Sequence, residues 1–140
     1  IIAVQGQPVG IAVATETNVV LAPVVQTGVG ASLEELASHS GELISRAREG
    51  QMTASDQVPA AITVSNLGMY GVTAFTAMVA PPQVMVLSVG AVQRMPVFNE
   101  AEEVVARSVI TLTLGSDHRV VNGAQAAAFL KAVVAGLESS

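Results

Sequence analysis

The chain has 140 residues, 51% of them hydrophobic and only 12% charged, with a net charge of −5 and no cysteine. Six Lys and Arg residues, unclustered, are a poor match to a phosphate backbone, which argues against a nucleic-acid binder. The missing cysteines exclude disulfides, thiolate nucleophiles and Cys-ligated zinc, and with His39 and His118 as the only imidazoles no metal is expected.

The length suits a single core over residues 1–140, and so little charge implies surface covered by partner subunits rather than a monomer. The stretch from Asp56 to Arg94 has no charged side chain between its ends. Asn66, Gly68, Gly71, Pro81 and Pro82 interrupt it, so no run approaches the roughly 20 apolar residues of a membrane span. The opening Ile1-Ile-Ala-Val4 lacks the charged start and long apolar core of a signal peptide and reads as an interior point of a longer chain.

In chain order, Val9 to Thr15 and Val19 to Val25 read as two strands around a Glu16-Thr17-Asn18 turn, a hairpin. Gln26 to Ala31 is a loop whose Gly28-x-Gly30 lacks the remaining glycine and acidic partner of a dinucleotide site. Ser32 opens a helix, with Glu35 completing a capping box, Glu34 and Glu35 at the positive end and Gly50 as the stop after Arg46 and Arg48. Leu33, Leu36, Ala37, Leu43, Ile44 and Ala47 form its expected buried stripe, and Glu42 and Arg46 are spaced for an i,i+4 pair. His39 lies in this helix as a solvated or capping residue.

A linker, Gln51 to Pro59, precedes a strand at Ala60–Val64, and Val72–Val79 and Val84–Val89 are further strand-like segments about a tight Pro81-Pro82 turn. Met95–Phe98 and Val104–Leu114 extend the sheet across an acidic turn, Asn99 to Glu103. No internal repeat or second domain is evident.

The most informative stretch is Asp117-His-Arg-Val-Val-Asn-Gly123. The run Ser108–Leu114 before it alternates apolar and polar side chains as a half-buried strand does. After it, Asn122 with Gln125 makes a capping pattern, so a helix begins near Gly123 with Ala127, Leu130, Val134 and Leu137 on its apolar stripe, flanked by Ala126, Phe129 and Val133. His118 therefore occupies a strand-to-helix connection. Imidazole suits proton transfer near neutrality; a histidine bonded to a backbone carbonyl and an asparagine that only caps a helix account for the same residues. Ser65 likewise reads either as a strand-end hydroxyl bonding the backbone or as a functional donor.

The His118-Arg-x-x-Asn122-Gly123 pattern resembles the signature of the dihydrolipoamide acyltransferases, the core enzymes of 2-oxo acid dehydrogenase complexes. Gly10-Ile-Ala-Val-Ala-Thr-Glu16, Thr63-Val-Ser-Asn-Leu-Gly-Met-Tyr-Gly71 and Phe75-Thr-Ala-Met-Val-Ala-Pro-Pro-Gln83 resemble the same family in the same order. The resemblance implies an α/β (two-layer α+β), chloramphenicol-acetyltransferase-like fold, with a mixed sheet, helices on one face, and the N-terminal helical part of the domain missing.

It also implies acyl transfer from a lipoyl thioester to coenzyme A, both as substrates, with no metal. His118 would be the base, Ser65 the oxyanion donor and Asn122 a residue supporting the histidine, while Asp117 and Arg119 anchor the loop. Partners implied are a homotrimer or larger core of acyltransferase subunits, with the cleft between neighbours, and dihydrolipoamide dehydrogenase bound through other domains. Asn18-Val-Val-Leu-Ala-Pro23, Gln26-Thr-Gly-Val-Gly30 and Pro59-Ala-Ala-Ile62 depart from the family pattern. With the short length, these departures favour an accessory core component like protein X of the pyruvate dehydrogenase complex; the catalytic acetyltransferase is the alternative. The expected compartment is the mitochondrial matrix, or else a bacterial cytoplasm.

Overall fold

The computed structural model describes residues 8–17, 19–26 and 30–139. Its elements are β1 (Val9–Ile11), β2 (Val13–Ala14), β3 (Val20–Leu21), β4 (Val24–Val25), α1 (Leu33–Arg48), β5 (Ile62–Asn66), β6 (Met85–Val89), β7 (Gln93–Phe98), β8 (Val104–Val109), β9 (Leu112–Ser116) and α2 (Gly123–Glu138). Five strands form a mixed sheet in the order β4-β1-β5-β6-β9, with β1, β5 and β6 mutually parallel and the two edge strands antiparallel to their neighbours. The β2-β3 and β7-β8 pairs are separate hairpins. The result is the expected mixed α/β architecture.

Register sorts the side chains, because alternate residues of a strand share a face. Ile62, Val64, Leu87, Val89, Leu112 and Leu114 share one face; Thr63, Ser65, Val86, Ser88, Thr113 and Gly115 share the other. The apolar face meets α1. Leu43 (1% exposed) and Ala47 (0%) of that helix pack with Val13, Val24 and Val25 into the core, where burying one Leu side chain is worth roughly 2–3 kcal/mol. Outside this patch the helix is largely wet, and Leu33, expected inside, is 83% exposed.

Both helix starts follow their sequence signals. Ser32 Oγ accepts from Glu35 N while Glu35 Oε2 accepts from Ser32 N, and Asn122 and Gln125 exchange the same two bonds at α2. Arg46 does not pair with Glu42. Its guanidinium instead donates to both oxygens of Asp56, the nearer at 2.8 Å, on a 3₁₀ turn (Ala54–Gln57) inside the expected linker. Asp56 is only 6% exposed, so the geometry rewards a bidentate partner there over a solvated one on the helix surface.

Three strand expectations are corrected. The first hairpin is split, since Pro23, with no N–H to extend the ladder, separates β3 from β4. β2 and β3 pair with each other, β1 and β4 with each other; Asn18 of the turn and Gly28 of the following loop lie outside the described residues. Val104–Leu114 is two strands, because β8 pairs β7 whereas β9 pairs β6.

Val72–Val79 is not a strand. It crosses the polar face of the sheet as an extended strap, with Ala91 N bonded to Val72 O (2.8 Å) and Ala77 N to Ser88 Oγ (3.0 Å). From Phe75 to Val79 alternate side chains are half-buried, with one side resting on the sheet, but the backbone has no place in the ladder. Gly90 makes the crossing possible: a Cβ there would collide with the Thr73 carbonyl. The Pro81-Pro82 turn then returns the chain to β6.

α2 contacts β9, and Ala126, Leu130 and Val133 of its stripe are half-buried. The rest of its expected stripe is open, with Phe129 37%, Val134 36% and Leu137 57% exposed. No helix among the described residues is long and apolar enough to cross a membrane.

Candidate active site

His118 opens a tight turn between β9 and α2, as its sequence context predicts. The turn is fastened on both sides. Asp117 N donates to Val84 O (2.8 Å), and Val120 N and Val121 N both donate to Asp117 O (2.9 Å each). Arg119 folds back onto Asp117, with Nη2 to Oδ2 at 2.7 Å and Nε to Oδ1 at 3.0 Å. These hydrogen bonds from the Arg119 side chain, with another from its backbone N–H, hold the Asp117 carboxyl down at about 2. Asp117 and Arg119 thus anchor the loop, and the His118 side chain between them is exposed.

Asn122 spends its Oδ1 on the Gln125 backbone N–H, the helix-cap role open to it from sequence. Ser65 lies toward the far end of β5, half-buried, among the residues lining a largely apolar cavity of about 460 Å³ with Ile11, Ile44, Arg48 and Leu67. Among the described residues its hydroxyl makes no hydrogen bond, whereas its register partner Ser88 is tied to the strap. Among the described residues no three His, Asp or Glu side chains are grouped to hold a metal ion.

One chain does not bring Ser65 and His118 together. Ser65 is level with Ser88 and Thr113, while the turn carrying His118 leaves the sheet past Ser116, level with Met85 and Ile62. Ser65 and Ser116 are therefore roughly 10 Å apart along the strands and roughly 10 Å apart across two strand spacings, with His118 farther along still, against the ~3 Å needed for proton transfer and oxyanion contact. A histidine and a serine at opposite ends of a sheet can serve one reaction only if a second copy supplies one of them. No sequence signal shows this separation, since both residues sit in well-formed local motifs.

Taken together, the mixed sheet, the anchored histidine turn and the capped helix that follows it define an acyltransferase-type domain. The chain belongs to the family described as 2-oxoacid dehydrogenases acyltransferase (catalytic domain), whose model matches residues 1–140. It is 40% identical, over 92% of its length and 32% of the relative's, to the dihydrolipoyllysine-residue acetyltransferase component of the acetoin cleaving system of Bacillus subtilis. To the mitochondrial pyruvate dehydrogenase protein X component of Mus musculus it is 31% identical, over 94% of this chain and 27% of that one.

Among solved structures it matches the Azotobacter vinelandii dihydrolipoamide acetyltransferase, with a TM-score of 0.85 and 36% identity over 94% of this chain and 54% of that one. In that protein a serine, a histidine and an asparagine have been investigated for their role in the catalytic mechanism. It also matches the cubic core of the pyruvate dehydrogenase multienzyme complex, with a TM-score of 0.83 and 37% identity over 91% of this chain and 52% of that one. The chain thus spans about a third of the length of the curated relatives it matches and about half that of the structures.

Proposed function

We propose that this chain is a core subunit of a 2-oxo acid dehydrogenase complex, most simply of the pyruvate type, and transfers an acetyl group from a lipoyl thioester to the thiol of coenzyme A. The observation that carries the reading is the trio Ser65, His118 and Asn122. They follow the chain order of the serine, histidine and asparagine investigated in the Azotobacter enzyme, with the same interval between histidine and asparagine.

In this reading a ring nitrogen of His118 takes the proton of the coenzyme A thiol as the sulfur closes on the thioester carbonyl, because the thiolate is the nucleophile. The carbonyl oxygen becomes an oxyanion and accepts a hydrogen bond from Ser65 of a neighbouring copy, while Asn122 fixes the start of the helix behind the histidine turn. Collapse breaks the bond to the lipoyl sulfur, which recovers the proton from the imidazolium. Atoms and charge balance without a metal. A trimer or a larger core of such trimers fits a cleft shared by two copies, and dihydrolipoamide dehydrogenase would be recruited through domains other than this one.

Acetyl transfer between dihydrolipoamide and coenzyme A, assayed on the assembled chain, tests the proposal. His118→Ala is expected to lower kcat by about 10²–10⁴-fold, and unchanged turnover would remove the base assignment. A second reading is the accessory core component expected from the departing loops, and the mouse protein X is among the relatives, at 31% identity. An assembled parent chain without turnover would establish it. Relatives include bacterial proteins and a mitochondrial one, and the mitochondrial matrix and bacterial cytoplasm are the corresponding settings.

A further inference from the structure

Thr63 lies on the central strand β5, 5% exposed, and its hydroxyl donates a 2.6 Å hydrogen bond to Gln83 Oε1. Space for that hydroxyl comes from Gly10, its register partner on β1, where a Cβ would stand 2.5 Å from Thr63 Oγ1. Two positions far apart in sequence from Gln83 are thus committed to holding one glutamine. That glutamine sits between the Pro81-Pro82 turn and Val84, whose carbonyl takes the Asp117 N–H. Gln83 therefore borders the turn that carries His118; it lines a cavity of about 430 Å³ together with Pro82, Asp117, Arg119 and Val120, and also one of about 220 Å³ with Ala22, Met52 and Ala60.

The polar groups of this cavity differ in what they have left to offer. Asp117 and Arg119 are spent on each other. The Gln83 carbonyl oxygen is spent on Thr63, which leaves two amide N–H donors with no acceptor among the described residues. A preoriented, half-buried N–H donor of this kind matches a carbonyl oxygen, and carboxamides carry one.

We infer that Gln83 is a specificity-determining residue that binds an amide carbonyl on the arm bearing a reacting sulfur, with Thr63 as the positioning residue that orients it. The inference rests on the acyl-transfer reading above. Both thiols of that reaction carry such an amide, the pantetheine arm of coenzyme A and the amide of dihydrolipoamide, so the two arms are measured separately.

On the assembled chain, Gln83→Ala is expected to raise KM about tenfold for one of the two thiols, the equivalent of one lost hydrogen bond, with kcat held within about twofold. Gln83→Glu, which keeps the acceptor for Thr63 but has no donors, gives the same rise should the alanine variant fold poorly. Thr63→Val raises the same KM to a smaller extent, and the Thr63→Val, Gln83→Ala double variant does no more than Gln83→Ala alone. The thiol whose KM moves identifies the arm.

Unchanged KM for both thiols, with a lowered Tm or an altered assembly size, would overturn the inference and leave the pair structural. Calorimetric binding of coenzyme A and of dihydrolipoamide separates its failure from that of the proposed function. A parent that binds a thiol without turnover fails the acyl-transfer reading only, and there a tenfold weaker Kd for Gln83→Ala still supports the assignment while an equal Kd refutes it. A parent that binds neither thiol refutes both.

Discussion

Ser65 and Ser88 are register partners on the same face of the sheet, yet their hydroxyls are committed differently. Ser88, 2% exposed, accepts the Ala77 N–H and pins the strap to β6. Ser88→Ala should therefore destabilise the fold by about 1–3 kcal/mol, because it orphans a backbone donor, and leave turnover of the folded fraction intact. Ser65→Ala should do the reverse, cutting kcat about 10²–10³-fold as loss of one oxyanion donor does with little change in stability. Urea denaturation and the acetyl-transfer assay on the two variants test this separation, and coincident losses in both would refute it. Gly90→Ala is a harsher change at the same crossing, since the new methyl meets the Thr73 carbonyl. Overpacking against backbone should cost on the order of 3 kcal/mol, read as a drop in the urea midpoint.

At the level of elements, α1 is tied to the 3₁₀ turn ahead of β5 through Arg46 and Asp56. The Arg46 side chain, then the Thr53 backbone N–H, hold the Asp56 carboxyl at about 2, below its ordinary 3.8. The folded chain therefore binds this proton less readily than the unfolded one, and the pair's contribution is fully present above about pH 4 and is lost as pH falls toward 2. The urea midpoint should drop across that window, and Asp56→Asn should flatten the drop while lowering the midpoint at pH 7. A parallel decline in the variant would refute the assignment.

The same elements show what the sequence could and could not reveal. Both capping boxes were legible because each is a four-residue exchange between neighbours. The strap at 72–79 is strand-like in sequence because apolar content reports that a segment is covered, not which backbone its N–H groups meet. The break at Ile110-Thr111 was hidden for a similar reason: Thr111 O accepts from Gly90 N where the chain exchanges β7 for β6 as its neighbour, a choice made far away in sequence. Asp56 likewise won Arg46 from the better-spaced Glu42 through burial that no local pattern records. At the candidate site the residues were legible one by one, and their mutual distance was not.

For the whole molecule, exposed apolar side chains are spread over the strap, the β7-β8 hairpin and α2: Met78 at 90%, Phe98 at 75%, Val104 at 64% and Leu137 at 57%. That distribution suits a chain meant to be covered by copies of itself. If the site is shared between copies, variants lacking different halves should complement one another. Equal amounts of inactive His118→Ala and Ser65→Ala chains, unfolded together and reassembled, should regain about a quarter of parental turnover, the share of cyclic interfaces that unite an intact histidine with an intact serine. No recovery would place both residues in one subunit's site. The separation of Ser65 from His118 across the sheet also sets a rate law. If the proposed site is shared in this way, folding is a first-order event within each chain while competence requires a second chain, so specific activity should fall on dilution while the far-ultraviolet circular dichroism of each subunit stays constant.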